Sequence, residues 1–157
     1  MMRRNFAVIA ALAASAVTPS TFASAKPDFS GEWKLNLAKS DFGPVPAPAF
    51  QTYKIDHQDP LMKVVTNQSA ADGDTVVNAT YSTDGKETKS DYRGAETRSV
   101  ANWDGDALLI TTKVDSIGAT IQATWKLSAD GKTILTYTKI ATPQGNFDIK
   151  SVFDKVR

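Results

Sequence analysis

Ala119-Thr120-Ile121-Gln122-Ala123-Thr124-Trp125-Lys126-Leu127-Ser128, closed by Ala129-Asp130-Gly131, is the stretch whose reading decides the fold. Ala119, Ile121, Ala123, Trp125 and Leu127 alternate with Thr120, Gln122, Thr124, Lys126 and Ser128. A period of two sends successive side chains to opposite faces of a strand, so one face is apolar and the other polar. Asp-Gly then supplies the residue with φ > 0 that turns such a strand back on itself. The unit recurs in both directions along the chain. Glycines stand at 73, 85, 94, 105, 118, 131 and 145, separated by 12, 9, 11, 13, 13 and 14 residues, and Asp precedes Gly73, Gly85, Gly105 and Gly131.

The regular reversals predict an antiparallel meander. Phe147, Ile149, Ser151 and Phe153 alternate with Asp148, Lys150, Val152 and Asp154, and no proline occurs between Pro60 and Pro143, where a missing N–H would break a ladder. Ten strands are expected, near 31–37, 50–57, 61–69, 75–83, 86–93, 95–103, 107–115, 119–128, 132–141 and 146–156. Pro44, Pro46 and Pro48 make residues 43–48 a stiff connector. Ten one-sided strands in sequence order curl and close to remove their edges. The expected fold is all-β: a single antiparallel up-and-down β-barrel.

Residues 1–25 read as a leader. Arg3-Arg4 is followed by an apolar run from Phe6 to Val17 and by Ala23-Ser24-Ala25, the pattern of a cleavable signal peptide. The run is shorter than the ~20 residues of a spanning helix. Arg3-Arg4-Asn5-Phe6 also partly resembles a twin-arginine signal. Cleavage after Ala25 would leave a barrel domain over 26–157, exported to the periplasm or secreted. The full chain carries 18 Lys+Arg and 17 Asp+Glu. The leader takes two arginines with it, so the domain would be nearly neutral, which argues against nucleic acid or an anionic membrane as partner. With no cysteine, thiol chemistry and disulfides are excluded.

Strand parity separates the inside from the outside. Glu87, Lys89, Asp91 and Arg93 share a charged face, which turns Thr88, Ser90 and Tyr92 inward; Trp103 sets the inner parity of Thr97 and Ser99. Tyr81 continues this wall, Tyr53 shares parity with Ile55 and His57, and Trp125, Phe147, Ile149 and Phe153 make an apolar wall opposite. Small hydroxyl-bearing residues do not fill a ten-stranded barrel, whose width grows with strand number. A lumen lined by Tyr53, Tyr81, Thr88, Ser90, Tyr92, Thr97, Ser99, Trp125, Ser151 and Phe153 is therefore expected to hold a small hydrophobic or amphipathic ligand.

Phe29-Ser30-Gly31-Glu32-Trp33-Lys34-Leu35, with Ser40-Asp41-Phe42 after it, resembles the opening of the calycin superfamily. Gly31-x-Trp33 is similar to the lipocalin signature, and the wider run resembles fatty-acid-binding proteins, whose ten-stranded meander and size also match. The resemblance gives Gly31 and Trp33 a structural role, with Trp33 plugging the narrow end. The same start, with Asn36 and Lys39-Ser40-Asp41-Phe42-Gly43, resembles exported bacterial lipocalin-like proteins of unassigned function. Two departures stand out. Residues 43–48 are too short for a helical lid, and Ser151-Val152-Phe153 stands where fatty-acid-binding proteins carry Arg-x-Tyr. The resemblance therefore implies no carboxylate clamp.

Catalytic signals are weak. His57 is the sole histidine, and its neighbour Asp56 must face the other way, so the two do not share a metal. It reads as a rim histidine before Asp59-Pro60. No Gly-x-Ser-x-Gly elbow occurs. Asp72-Gly73-Asp74 and Asp104-Gly105-Asp106 lack the further oxygens of a calcium loop. The expectation is a non-enzymatic monomer without metal or cofactor and without membrane insertion. The alternative is a protein-binding envelope module or inhibitor working through mouth loops, including residues 43–48 and the rim at His57. An outer-membrane barrel is disfavoured by short turns and the absence of aromatic girdles.

Overall fold

The computed structural model describes residues 25–157. The leader expected over residues 1–25 therefore lies, except for Ala25, outside the described residues. Ten strands follow one another: β1 (Gly31–Leu35), β2 (Phe50–Gln58), β3 (Leu61–Ala70), β4 (Gly73–Ser82), β5 (Thr88–Tyr92), β6 (Ala95–Asp104), β7 (Ala107–Val114), β8 (Ala119–Leu127), β9 (Thr133–Thr142) and β10 (Gly145–Lys155). All pairings are antiparallel, in the order β4-β3-β2-β1-β10-β9-β8-β7-β6-β5. The seven glycines of the series all take positive φ at the reversals between strands. The expected meander is the observed one.

The barrel is nearly closed. β4 and β5 are the two edges, and no ladder joins them; the Thr80 N–H donates to Ser90 Oγ at 3.3 Å across the seam. At one end of the seam Arg93 reaches back to the β3–β4 turn, where it meets the Asp72 carboxylate and, at 3.0 Å from Nε, the Thr75 hydroxyl. Arg93 has φ of 51° and sits in the β5–β6 turn. Its side chain is therefore not part of the outward row expected for it.

Two strands are shorter than expected, each for a local reason. β1 stops at Leu35 because the Asn36 side chain accepts the Lys39 N–H and starts a 3-10 turn over Leu37–Lys39. β5 starts only at Thr88 because Asp84 holds a turn, accepting from Ser82 Oγ at 2.6 Å and the Lys86 N–H at 3.1 Å. A second 3-10 turn, Asp115–Ile117, ends on Gly118. No helix of the described residues is long and apolar enough to cross a membrane. The outward positions bear charges such as Lys54, Lys63, Lys126 and Lys150, where a lipid-facing belt would be apolar.

The core occupies one end of the barrel. Phe29, Trp33, Met62, Leu108, Ile134 and Phe153 have 2% exposure or less, and Ile55, Val64, Ile110 and Trp125 complete the cluster. Gly31 admits this packing: its φ is +133°, and a Cβ there would lie 2.7 Å from the Arg157 carbonyl oxygen. Trp33 sits opposite Tyr53 on β2 and fills this end, the place expected of it.

Candidate functional site: the barrel interior

The two halves of the interior differ. In the plugged half, Phe29, which precedes β1, stacks at 5.9 Å on His57 and at 6.1 Å on Trp103, and meets Trp125 edge-on at 5.9 Å. Tyr53 stacks between Trp125 (5.3 Å) and Phe153 (4.2 Å). Aromatic pairs at these separations add to area burial. Trp125 and Phe153 are thus the packed floor of the interior.

In the other half Ile121, Ile140, Phe147 and Ile149 make an inward apolar wall on β8, β9 and β10, half-buried, and the remaining inward residues are smaller and incompletely covered. Register places Thr66, Val77, Thr88, Ser90, Thr112 and Thr138 on the inner face, and all six are half-buried. A filled barrel would bury them fully. Among the inward hydroxyls only Thr97, Ser99, Thr136 and Ser151 are buried, and Ser99 Oγ bonds Thr112 Oγ1 at 2.7 Å. The phenols of Tyr53 and Tyr81 both pack against the buried cluster. Burial pushes both up, and for Tyr53 the neighbouring Tyr81 adds to the rise; Tyr81 reaches about 12. Neither phenol bonds another group of the described residues, and no enclosed side-chain polar atom there lacks a partner. Both oxygens are therefore within reach of water.

Every predicted lumen residue falls on the inner parity. Tyr81, Thr88, Ser90, Thr97 and Ser99 form a contiguous wall on β4, β5 and β6. Ser151 faces Thr136. Tyr92 sits apart: it ends β5 at the open mouth, 42% exposed, with the Arg93 guanidinium 5.6 Å from its ring.

His57 stands one pair from the end of the β2–β3 ladder, as expected, but it is buried there and not exposed at a mouth. It is 6% exposed within the plug, its Nδ1 accepts the Phe29 N–H at 3.2 Å, and its Nε2 lies 3.3 Å from Asp59 Oδ1. These partners put the ring proton on Nε2. Burial raises the Asp59 carboxyl, but hydrogen bonds from Thr83 (2.5 Å), Trp103 (3.1 Å) and His57 outweigh it and hold the group below its ordinary value. Ser30 Oγ bonds the backbone of His57 at 3.0 and 3.2 Å, not its ring. The arrangement ties the segment before β1 to the β2–β3 turn and presents no nucleophile. Residues 43–48 enter β2 from its opposite end, so the two parts of the expected mouth surface are separated by the length of the barrel.

Sequence reasoning missed Phe29 and Asp59 as members of the plug. Phe29 lies outside any strand, so alternation is silent about it, although its place two residues before Gly31 was a usable sign.

No family model matches the chain, and no curated protein matches it in sequence. Solved structures do match in fold. A secretory abundant heat soluble protein from Ramazzottius varieornatus is 15% identical with a TM-score of 0.60, over 84% of this chain and 97% of that one. Zebrafish ileal bile acid-binding protein, complexed with cholic acid, is 17% identical with a TM-score of 0.58, over 82% and 98%. Echinococcus granulosus fatty-acid-binding protein 1 is 13% identical with a TM-score of 0.58, over 82% and 98%. The likeness is to the fatty-acid-binding-protein and lipocalin-like fold.

Proposed function

We propose that this chain is an exported, non-catalytic binding protein whose barrel takes one small lipophilic or amphipathic molecule. The observation that carries the reading is the inner face beyond the plug, which bears half-buried hydroxyls, together with two phenols that have no protein partner. The ligand's apolar body would lie on Tyr53, Trp125 and Phe153. Its oxygen would accept from Tyr53 and Tyr81, which stay protonated at neutral pH and so remain donors. Ser151 and Phe153, in place of a charged clamp, favour a neutral polar end. Neighbours of this fold named for fatty acid or bile acid binding support the class of ligand. The resemblance to exported bacterial lipocalin-like proteins and the expected leader support the location.

Native mass spectrometry of the purified chain, with uptake of an environment-sensitive naphthalene dye, tests this. Expected are a small-molecule adduct or saturable one-to-one dye uptake, both lost when Val77→Trp fills the inner face of β4. Neither adduct nor uptake by a folded barrel would refute it.

Exposed Phe50, Tyr92 and Ile117 at the open end favour the second reading, a protein-binding module using the mouth. Under that reading, Ile117→Asp abolishes capture of a partner and leaves dye uptake unchanged.

A further inference from the structure

The outer face of the barrel carries a groove that the lumen reading leaves unused. It has a volume of about 520 Å³ and lies over β8, β9 and β10, beside the 3-10 turn Leu37–Lys39. Its floor is Leu135 and Val152, paired across β9 and β10, with Lys126 opposite Leu135 on β8. Lys150 stands two residues before Val152 on the same face, about 7 Å along the strand. Lys39 comes over from the turn.

The turn is a fixed wall. The Asn36 N–H donates to the Val152 carbonyl at 2.7 Å, the Val152 N–H donates to Ser40 Oγ at 2.9 Å, and Asp41 and Lys150 exchange two backbone bonds of 2.7 and 2.8 Å. Leu37–Lys39 is thereby held as a ridge along β10. The three lysines form no ion pair with a carboxylate among the described residues. The nearby Asp154 carboxylate accepts from the Asn36 side-chain amide at 2.8 Å.

We propose that this groove is a second binding site, external to the lumen, for a free single-chain anionic amphiphile. Its phosphate or carboxylate head would lie among Lys39, Lys126 and Lys150, and its alkyl tail on Leu135 and Val152. Three like charges around one hollow repel each other, and an anion between them relieves that repulsion. The lysine stems lengthen the apolar floor while their heads stay in water. A groove of this volume suits a molecule of drug size. A peptide fits poorly: β8, β9 and β10 are laddered on both sides, so the floor offers no free backbone group to a peptide's own donors and acceptors. The site does not depend on what the lumen holds.

Titration of the purified chain with decyl phosphate below its micelle concentration, followed by amide chemical shifts and calorimetry, tests the proposal. Expected are saturable shifts at Leu135 and Val152. Affinity should fall at least tenfold in Lys126→Glu/Lys150→Glu, with the fold checked by circular dichroism. It should rise about tenfold from octyl to decyl phosphate, the gain of two buried methylenes. Decyltrimethylammonium should not bind there. Lys126→Gln/Lys150→Gln serves if charge reversal unfolds the chain. Shifts confined to lumen-facing residues such as Ser99 and Thr112, or affinity unchanged in the lysine variants, overturns the proposal. Equal binding of the cationic probe overturns it too, as does binding to anionic-lipid vesicles without binding to the monomer.

Discussion

Replacing Trp33 separates the two things it does in the plug. The side chain is fully buried, and its Nε1–H donates to the Phe29 carbonyl at 2.9 Å. Trp33→Phe keeps a ring but removes the donor and a few carbon atoms. A buried carbonyl left unpaired costs about 1–3 kcal/mol, and the small residual cavity adds to it, so the expected loss is about 2–3 kcal/mol. Trp33→Ala empties the site, which costs about 3–5 kcal/mol for the cavity and transfer loss, with the same orphaned carbonyl on top. That sum approaches the whole stability of a small domain, roughly 5–15 kcal/mol, so the phenylalanine variant is the informative one. Urea titration at 25 °C, followed by far-ultraviolet circular dichroism, measures both without relying on the lost indole. The dependence on urea should keep its slope, because the surface exposed on unfolding barely changes. A cost below about 0.5 kcal/mol for Trp33→Phe means that water already reaches the Phe29 carbonyl and that the plug is open. A cost below about 1 kcal/mol for Trp33→Ala removes Trp33 from the core altogether.

Tyr53 and Tyr81 are raised by burial, so the stability they contribute is complete below pH 10 and lost as pH climbs through their folded values. Absorbance at 295 nm should show them ionising only together with the loss of β signal. Asp59 is lowered, so its contribution is intact above about pH 4 and disappears as pH falls through the folded value; Asp59→Asn should flatten the acid limb of a pH–stability curve. Gly31→Ala places a Cβ against the Arg157 carbonyl at φ +133° and should cost about 2 kcal/mol in urea titration. Arg93→Ala cuts the link from the β5–β6 turn to Asp72 and Thr75. Hydrogen exchange at the edges of β4 and β5 should quicken, with little change in the urea midpoint.

The meander was legible because the strands declare their two faces and seven reversals carry a glycine, four of them in Asp-Gly. Thr88, Ser90, Thr97 and Ser99 could be set on one wall by parity alone, since a one-residue slip would bury Glu87 and Lys89. What alternation does not encode is depth along the barrel. Tyr53, Trp125 and Phe153 face inward as Thr66 and Thr138 do but lie in the packed floor, and only the stagger of neighbouring strands reveals it. Parity put His57 inside and beside the β2–β3 turn, but its burial depends on Phe29 folding back over it from outside the sheet. The seam between β4 and β5 was invisible too, because the Asp84-Gly85 reversal looks like those at Gly73, Gly105 and Gly131, yet Asp84 shortens β5 and leaves the edges unladdered.

The unladdered seam is also a place where the chain could begin and end. The present N-terminal segment and C-terminus already meet at the plug, where Glu32 N–H donates to the Arg157 carbonyl at 3.1 Å. Joining residue 157 to residue 26 through a short linker and opening the chain between β4 and β5 would cut no hydrogen-bonded pair of strands. In the permuted chain every ladder would connect consecutive strands, including β10 with β1, now the sole pairing that spans nearly the whole sequence. The contacts between β10 and β1 would become local while those across the β4–β5 seam became long-range, so the mean sequence separation of contacts, and with it the folding rate, should change little. The permutant should reach the same barrel, with its new ends flanking the unladdered seam in the wall.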